Sequence, residues 1–280
     1  MKTDLMRNLR RTIGILGLLP LAAMAGQGEA YSIFNPHPDD TKTPDGAWAL
    51  HDMERPWPER AKPKAPDALR DLAEAPADAI ILFDGKDLSA WQVPELWVVE
   101  DGIIQIRPGQ LNLSSKQDFG SIRLHLEWQT PADSRRTAQD RGNSGVFLMS
   151  TYEVQILDSY DNPTYADGMA AALYGHKPPA FDALRPPGEW QYYDIWFRRP
   201  TFDTDGAMKT PATVTVLVNG ILVHDNEPFP GPASHRKRRP YRAHADALPL
   251  TLQYLQRSMK LVSYSRASRL LGNVRRISAV

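Results

Sequence analysis

The stretch from Ser121 to Gln129 alternates strictly. Ile122, Leu124, Leu126 and Trp128 fall on one side, and Arg123, His125, Glu127 and Gln129 on the other. Successive strand residues point to opposite faces, so this spacing predicts a half-buried β-strand. Period two returns between Trp190 and Arg198, where Tyr193, Ile195 and Phe197 share a face. Tyr193 and Trp196 read as core residues. Asp101-Gly102 separates Trp97–Val99 from Ile103–Ile104, and Asn219-Gly220 separates Thr213–Val218 from Ile221–His224. Both dipeptides tolerate the positive φ of tight hairpin turns, so each predicts a hairpin. No convincing helical period appears between residue 80 and the C-terminal region. Many short strands with turns between them predict an all-β sandwich or jelly roll.

Ahead of residue 80 the alternation is lost. His37-Pro38, Thr43-Pro44, Pro56-Trp57-Pro58 and the Lys62–Pro66 run punctuate the chain. Proline fixes φ and removes a backbone donor, so continuous sheet or helix is not expected there. Only Asp67 to Glu74 suits a short helix. Trp48 and Trp57 imply that this irregular segment packs against something. Further upstream, Lys2, Arg7, Arg10 and Arg11 precede the apolar run Ile13 to Ala25. That run is shorter than the ~20 residues of a membrane span and reads as a signal peptide, cleaved near Ala25 or Ala30. The expected organisation is a signal peptide over 1–25, a Pro-rich extension over 26–78, a jelly-roll domain over 79–254 and a basic tail over 255–280.

Composition narrows the function classes. The chain has 280 residues, 42% of them hydrophobic, which is enough for a sizeable core. Its 33 basic and 33 acidic residues cancel. That balance gives no case for nucleic acid or an anionic membrane surface, and no membrane span is expected after signal cleavage. With no cysteine, disulfides, thiolate metal sites and a lipidated N-terminal Cys are excluded. The run His235–Arg239 reads as a solvated basic loop.

The candidate chemistry concentrates between Arg141 and Asp158. Arg141-Gly142-Asn143-Ser144-Gly145 leads into the apolar Val146–Met149, followed by Tyr152–Asp158. Alternation puts Glu153 and Gln155 on one strand face, opposite Tyr152, Val154 and Ile156. A face turned to solvent explains such a pair equally well. The density of Arg141, Asn143, Glu153, Gln155 and Asp158 beside flexible glycines favours a site. Tyr165, Tyr174 and Trp190 lie in Gly- and Pro-rich loops further on. Aromatic rings on loops stack on sugars, while amides and carboxylates bond their hydroxyls.

These segments together resemble the 3-keto-disaccharide hydrolase family. The similarity is carried by Arg141–Gly145, Tyr152–Tyr160, Thr164–Gly168, Tyr174-Gly175, Pro187–Gln191, the hairpin Val214–His224 and the opening Leu82–Leu88 with Trp91. It spans roughly residues 80 to 253. The resemblance implies a concanavalin-like jelly-roll β-sandwich, export to the periplasm, and cleavage of glycosides whose sugar carries a ketone at C3. The end of the chain departs from the family. Tyr254-Leu255-Gln256 replaces a Gln-His-Gly type turn, and Leu255 to Val280 contains no acidic residue. Lys260 to Tyr264 is the candidate last strand; without it a sheet edge stays open.

A C3 ketone acidifies the C2 proton, so a base can remove it and expel the C1 substituent. Hydrolysis by two carboxylates is the other route. Glu153 is the first candidate for base or acid, followed by Asp158 and Glu127. Arg141 is the expected stabiliser of an enolate oxygen. Asn143 and Gln155, with Tyr165, Tyr174 and Trp190, are expected to bind substrate. His176 and His244 are candidate proton carriers there. Oxygen ligands of this kind also suit Ca²⁺ or another divalent ion, although no compact acidic loop calls for one. The competing readings are a sugar-binding jelly roll without chemistry and a structural envelope protein whose Pro-rich segment docks a partner.

Overall fold

The computed structural model describes residues 41–43, 46–66, 77–92, 97–106, 112–132, 134–253, 259–262 and 277–279. The signal-peptide reading of residues 1–25 and the helix suggested for Asp67–Glu74 lie outside the described residues. In chain order the described strands are β1 (Ile80–Phe83), β2 (Trp91–Gln92), β3 (Val98–Glu100), β4 (Ile103–Ile106), β5 (Leu113–Phe119), β6 (Ile122–Gln129), β7 (Ser144–Leu148) and β8 (Tyr152–Ile156). They continue with β9 (Gln191–Arg198), β10 (Thr201–Phe202), β11 (Met208–Thr210), β12 (Thr213–Val218), β13 (Ile221–Pro228), β14 (Leu248–Leu252), β15 (Met259–Val262) and β16 (Ile277–Ala279).

The strands form a jelly-roll sandwich. The large sheet has nine strands in the order β13-β12-β9-β6-β15-β4-β3, with β16 also on β6 and β1 on β16. The smaller sheet has five, ordered β2-β5-β14-β7-β8. Period-two faces meet between the sheets. Leu124, Leu126, Trp128, Tyr193, Ile195, Phe197, Val214 and Val216 of the large sheet pack in one core with Val146, Leu148, Tyr152, Val154, Leu250 and Leu252 of the small one. Trp128 meets Tyr193 edge to face at 5.4 Å, a favoured aromatic geometry. Both predicted hairpins form. Asp101 and Gly102, and Asn219 and Gly220, all have positive φ, as tight hairpin turns require.

Two expectations change. First, β6 is not half-buried: His125 and Glu127, on its outer face, are 6% and 2% exposed. Second, Trp196 is not core. It shares that outer face and lies half-buried beneath the Arg123 guanidinium, 5.0 Å from the ring centroid. The basic tail joins the large sheet at two places. β15 pairs antiparallel with both β4 and β6, filling the slot foreseen for a last strand. β16 pairs with β6 and β1.

The Pro-rich segment over residues 41–66 is held against the sandwich by long-range polar contacts. The Trp57 indole N–H donates to the Thr164 carbonyl at 2.6 Å. Arg60 donates twice to Asp182 at 3.2 Å. The Lys64 amide donates to the Asn219 carbonyl at 3.1 Å, and Arg185 donates to the Lys64 carbonyl at 2.6 Å. Proline-broken backbone cannot satisfy its own polar groups in a ladder, so these partners come from the loops it crosses.

Candidate active site

Strands β7 and β8 set the site. Their register pairs Gly145 with Gln155, Val146 with Val154 and Phe147 with Glu153. Val146 and Val154 face the core, so Gly145, Phe147, Glu153 and Gln155 share the face turned away from it. β14 adds Thr251 opposite Phe147, and the Gln253 amide donates to the Gly145 carbonyl at 2.9 Å. Glu153 and Gln155 therefore stand together, as strand alternation predicts.

Glu153 is 3% exposed. Its carboxyl has no hydrogen-bond or ion-pair partner among the described residues, and burial alone pushes it up to about 8. Gly145 makes room for it: a Cβ there would sit 2.3 Å from Glu153 Oε1. Around it, buried oxygens of Asn143 (Oδ1), Gln155 (Oε1) and Gln253 (Oε1) have no hydrogen-bond partner among the described residues. A buried acceptor without a donor is destabilising, and such groups in a folded protein point to a ligand or water.

The amides are held from behind by Gln139, in the 3-10 turn Ala138–Asp140. Its side chain donates to Thr164 Oγ1 at 2.7 Å and to the Gly168 carbonyl at 2.9 Å. Asn143 Nδ2 donates to the Gln139 carbonyl at 2.9 Å and to its Oε1 at 3.1 Å. Gln155 Nε2 makes only long contacts of 3.4 Å, to Gln139 Oε1 and the Gly168 carbonyl.

A loop runs along the free edge of β8. Val154 bridges Leu173 antiparallel, and the Tyr174 amide donates to the Glu153 carbonyl at 3.3 Å. This register sets Tyr174 beside Glu153 on the same face. The Tyr174 hydroxyl lies 3.2 Å from that of Tyr165, and both phenols are pushed up by burial, with Glu153 adding to the shift. Against them packs His51, from the Pro-rich segment. Its ring lies 4.1 Å from Tyr165, 5.1 Å from Tyr174 and 4.8 Å from His235. The His51 amide donates to Asp167 Oδ2 at 3.0 Å, and its Nδ1 lies 3.6 Å from the same oxygen. Burial works against the charge on Asp167, but the His51 contacts outweigh it and hold that carboxyl below its usual range.

The remaining predicted residues go elsewhere. Arg141 and Asp158 bind each other: Nη2 donates to Oδ1 at 3.0 Å, and Nε lies 3.0 Å from Oδ2. Arg141 also donates to the Tyr160 carbonyl, and the Asp158 amide donates to the Arg141 carbonyl at 3.1 Å. The pair closes the loop in front of β7. With its donors aimed at Asp158 and Tyr160, the guanidinium is not presented to Glu153. Burial pushes Asp158 up and Arg141 opposes it.

Glu127 sits on the outer face of the large sheet, with its Oε1 3.5 Å from His125 Nε2. It cannot serve as a second carboxylate for Glu153. Trp190 stands at the entry to β9, where its carbonyl accepts from Arg185 at 2.6 Å. His244 Nε2 lies 2.9 Å from the hydroxyl of core-facing Tyr152, on the other side of β8 from Glu153. His176 is in the Tyr174 loop, but its Nε2 is turned to the Pro232 carbonyl at 3.3 Å and burial pushes it down to about 4. Sequence reading missed His51, Gln139, His235 and Gln253 as site residues. None shows a local signal, because each reaches Glu153 or its neighbours through the tertiary fold. Among the described residues no group of three or more His, Asp or Glu side chains is arranged to hold a metal ion. No helix among them is long and apolar enough to cross a membrane.

A solved structure at 37% identity agrees with the sandwich. A solved structure from Parabacteroides distasonis, of a protein whose name assigns it to the glycosyl hydrolases, is 37% identical with a TM-score of 0.65, over 73% of this chain and 84% of that one. Another so named from the same organism is 19% identical with a TM-score of 0.47, over 72% of this chain and 98% of that one. No curated protein matches the chain. Residues 78–264 match the family model described as the 3-keto-alpha-glucoside-1,2-lyase-like domain. With the jelly roll and the Glu153 face in place, this match establishes that the chain belongs to the 3-keto-alpha-glucoside-1,2-lyase-like family of carbohydrate-active domains.

Proposed function

We propose that the protein cleaves glycosides whose sugar is oxidised at C3, by elimination with Glu153 as the base. The observation that carries this reading is the buried Glu153 carboxyl, without a partner among the described residues and pushed up to about 8, beside oxygens of Asn143, Gln155 and Gln253 that have no partner among those residues. A base poised near neutral pH suits abstraction of a proton acidified by a neighbouring ketone. The C2–H bond breaks and its proton goes to Glu153. The electron pair forms the C1–C2 double bond, and the C1–O pair leaves with the aglycone oxygen, which takes a proton from water. The unpartnered amide oxygens are acceptors for sugar hydroxyls. The loosely held Gln155 Nε2 is a donor for charge growing on the C3 oxygen.

Elimination is favoured over hydrolysis by paired carboxylates because no second carboxylate among the described residues works with Glu153. Asp158 is bound to Arg141, Asp167 to His51, and Glu127 lies on the other sheet. The basic, then apolar N-terminus supports export, so periplasmic action is part of the proposal.

The test is incubation with a 3-keto-glucoside and with its unoxidised parent. Expected are aglycone release from the keto sugar alone, an unsaturated ketone as the sugar product, and loss of both in Glu153→Gln. Equal binding of both sugars without release would overturn the enzymatic reading. A saturated 3-keto sugar formed without an unsaturated intermediate would overturn the elimination.

A further inference from the structure

The carboxyl that accepts a C2 proton must lose it before the next turnover, yet Glu153 is almost fully buried and has no hydrogen-bond partner among the described residues. Resting on the base role proposed above, we infer that Tyr174 and His235 form the route by which Glu153 returns its proton to water, with His51 as the positioning residue that holds both rings. Three observations carry this. Tyr174 is the cross-strand neighbour of Glu153 on the same face, through the Val154–Leu173 bridge. The Tyr174 hydroxyl lies 3.2 Å from His235 Nδ1. His235 itself is exposed, so the chain of groups starts at the buried carboxyl and ends in solvent.

His51 packs against both members of the route and is fixed at three points. Its amide and Nδ1 face the Asp167 carboxylate, and its Nε2 accepts the Arg236 amide at 3.3 Å. That last contact also anchors the backbone next to His235. An acceptor Nε2 places the ring proton on Nδ1, toward Asp167, so His51 itself carries no proton along the route. His51 lies outside residues 78–264, the part of the chain that matches the family model. The Pro-rich segment thereby becomes part of the working site.

The step balances. Glu153 and the Tyr174 hydroxyl are not in direct hydrogen bond, so a water that enters as product leaves carries the Glu153 proton to Tyr174 Oη while the Tyr174 hydroxyl gives its own proton to His235 Nδ1. His235 then releases one from Nε2 to water, leaving Glu153 ionised, Tyr174 neutral and His235 neutral.

The decisive experiment compares wild type, His235→Ala, Tyr174→Phe and His51→Leu on a 3-keto-glucoside, with free imidazole added. Loss of a proton-transfer group is expected to lower kcat by about tenfold to a hundredfold. His235→Ala should lose kcat with KM unchanged and regain it as imidazole is raised, since His235 is at the surface. Tyr174→Phe and His51→Leu should lose kcat without rescue, because phenylalanine fills the Tyr174 ring site and leaves no space for imidazole, and His51 is fully buried. Wild-type kcat in His235→Ala, or a loss that imidazole does not restore, overturns the route. Wild-type kcat in His51→Leu overturns the positioning role. If wild type releases no aglycone, the base role of Glu153 falls and the route falls with it. An active wild type with an unaffected His235→Ala removes the route alone.

Discussion

Glu153 on the small sheet and Asp194 on the large sheet are both carboxyls taken out of water, and their surroundings differ in one respect. Asp194 Oδ1 lies 2.9 Å from His125 Nδ1, and Glu127 stands 3.5 Å from the other ring nitrogen. Burial disfavours the charge on His125, but the two carboxylates outweigh it and push the imidazolium up to about 9. Glu153 has no such counter-charge, and burial raises it to about 8. A buried charge with its partner in place holds a sheet together. A buried carboxyl left alone is a poised acid or base. Arg141 and Asp158 fall on the Asp194 side of this divide, although the sequence set them beside Glu153.

The comparison can be broken most sharply by substitution. Glu153→Gln should lower kcat/KM by at least about a hundredfold. It should leave the protein folded and no less stable, because the wild-type carboxyl gains nothing from a partner. A thermal midpoint well below wild type would place Glu153 among the structural charges. Asp194→Asn should do the reverse. Removing one partner from a buried ion cluster costs about 3–5 kcal/mol, so denaturant unfolding should show a large loss of stability while kcat of the folded protein is kept.

Gly145→Ala is a finer probe. The added Cβ meets the end of the Glu153 side chain, which can swing aside. Activity should fall about tenfold or more as the carboxyl is displaced, while stability drops by only about 1 kcal/mol.

The smallest effect is in pH dependence. Ionised Glu153 is the active form, so kcat/KM should rise with pH through about 8. Stability should move the other way. Between the unfolded value near 4.5 and the folded value near 8, the native state holds one more proton than the unfolded chain, so stability falls as pH rises through this window. His125, raised from 6.5 to about 9, adds a fall from about pH 6.5 upward. Glu153→Gln should therefore remove the part of the decline that begins below pH 6.5 and leave the rest. A stability profile unchanged by Glu153→Gln would mean that the carboxyl is ordinary.

Much of the scaffold was readable in advance. The core faces of β6 and β9, the Asn219-Gly220 hairpin and the joint orientation of Glu153 and Gln155 follow from alternation and turn chemistry. The reading failed where a second layer of partners intervened. His125 and Glu127 occupy polar positions of an alternating strand, and the burial of both beside Asp194 depends on a strand nearly seventy residues away, at a separation of 69. His244 and Trp190 looked available only because their partners, Tyr152 and Arg185, could not be assigned from their neighbours in the chain.

Period two and the turn dipeptides, which are local backbone geometry, determined by themselves that this chain forms an all-β sandwich or jelly roll and which side chains share a strand face; the family resemblance narrowed this to the jelly roll. The tertiary structure alone decided which of the carboxylates would be partnered. Asp158 meets Arg141, Asp194 meets His125, Asp167 meets a histidine 116 residues away, and Glu153 meets none among the described residues. The physical reason is that a side chain's direction is set by its own strand, whereas the charge it faces once buried is set by whatever segment the fold lays across it.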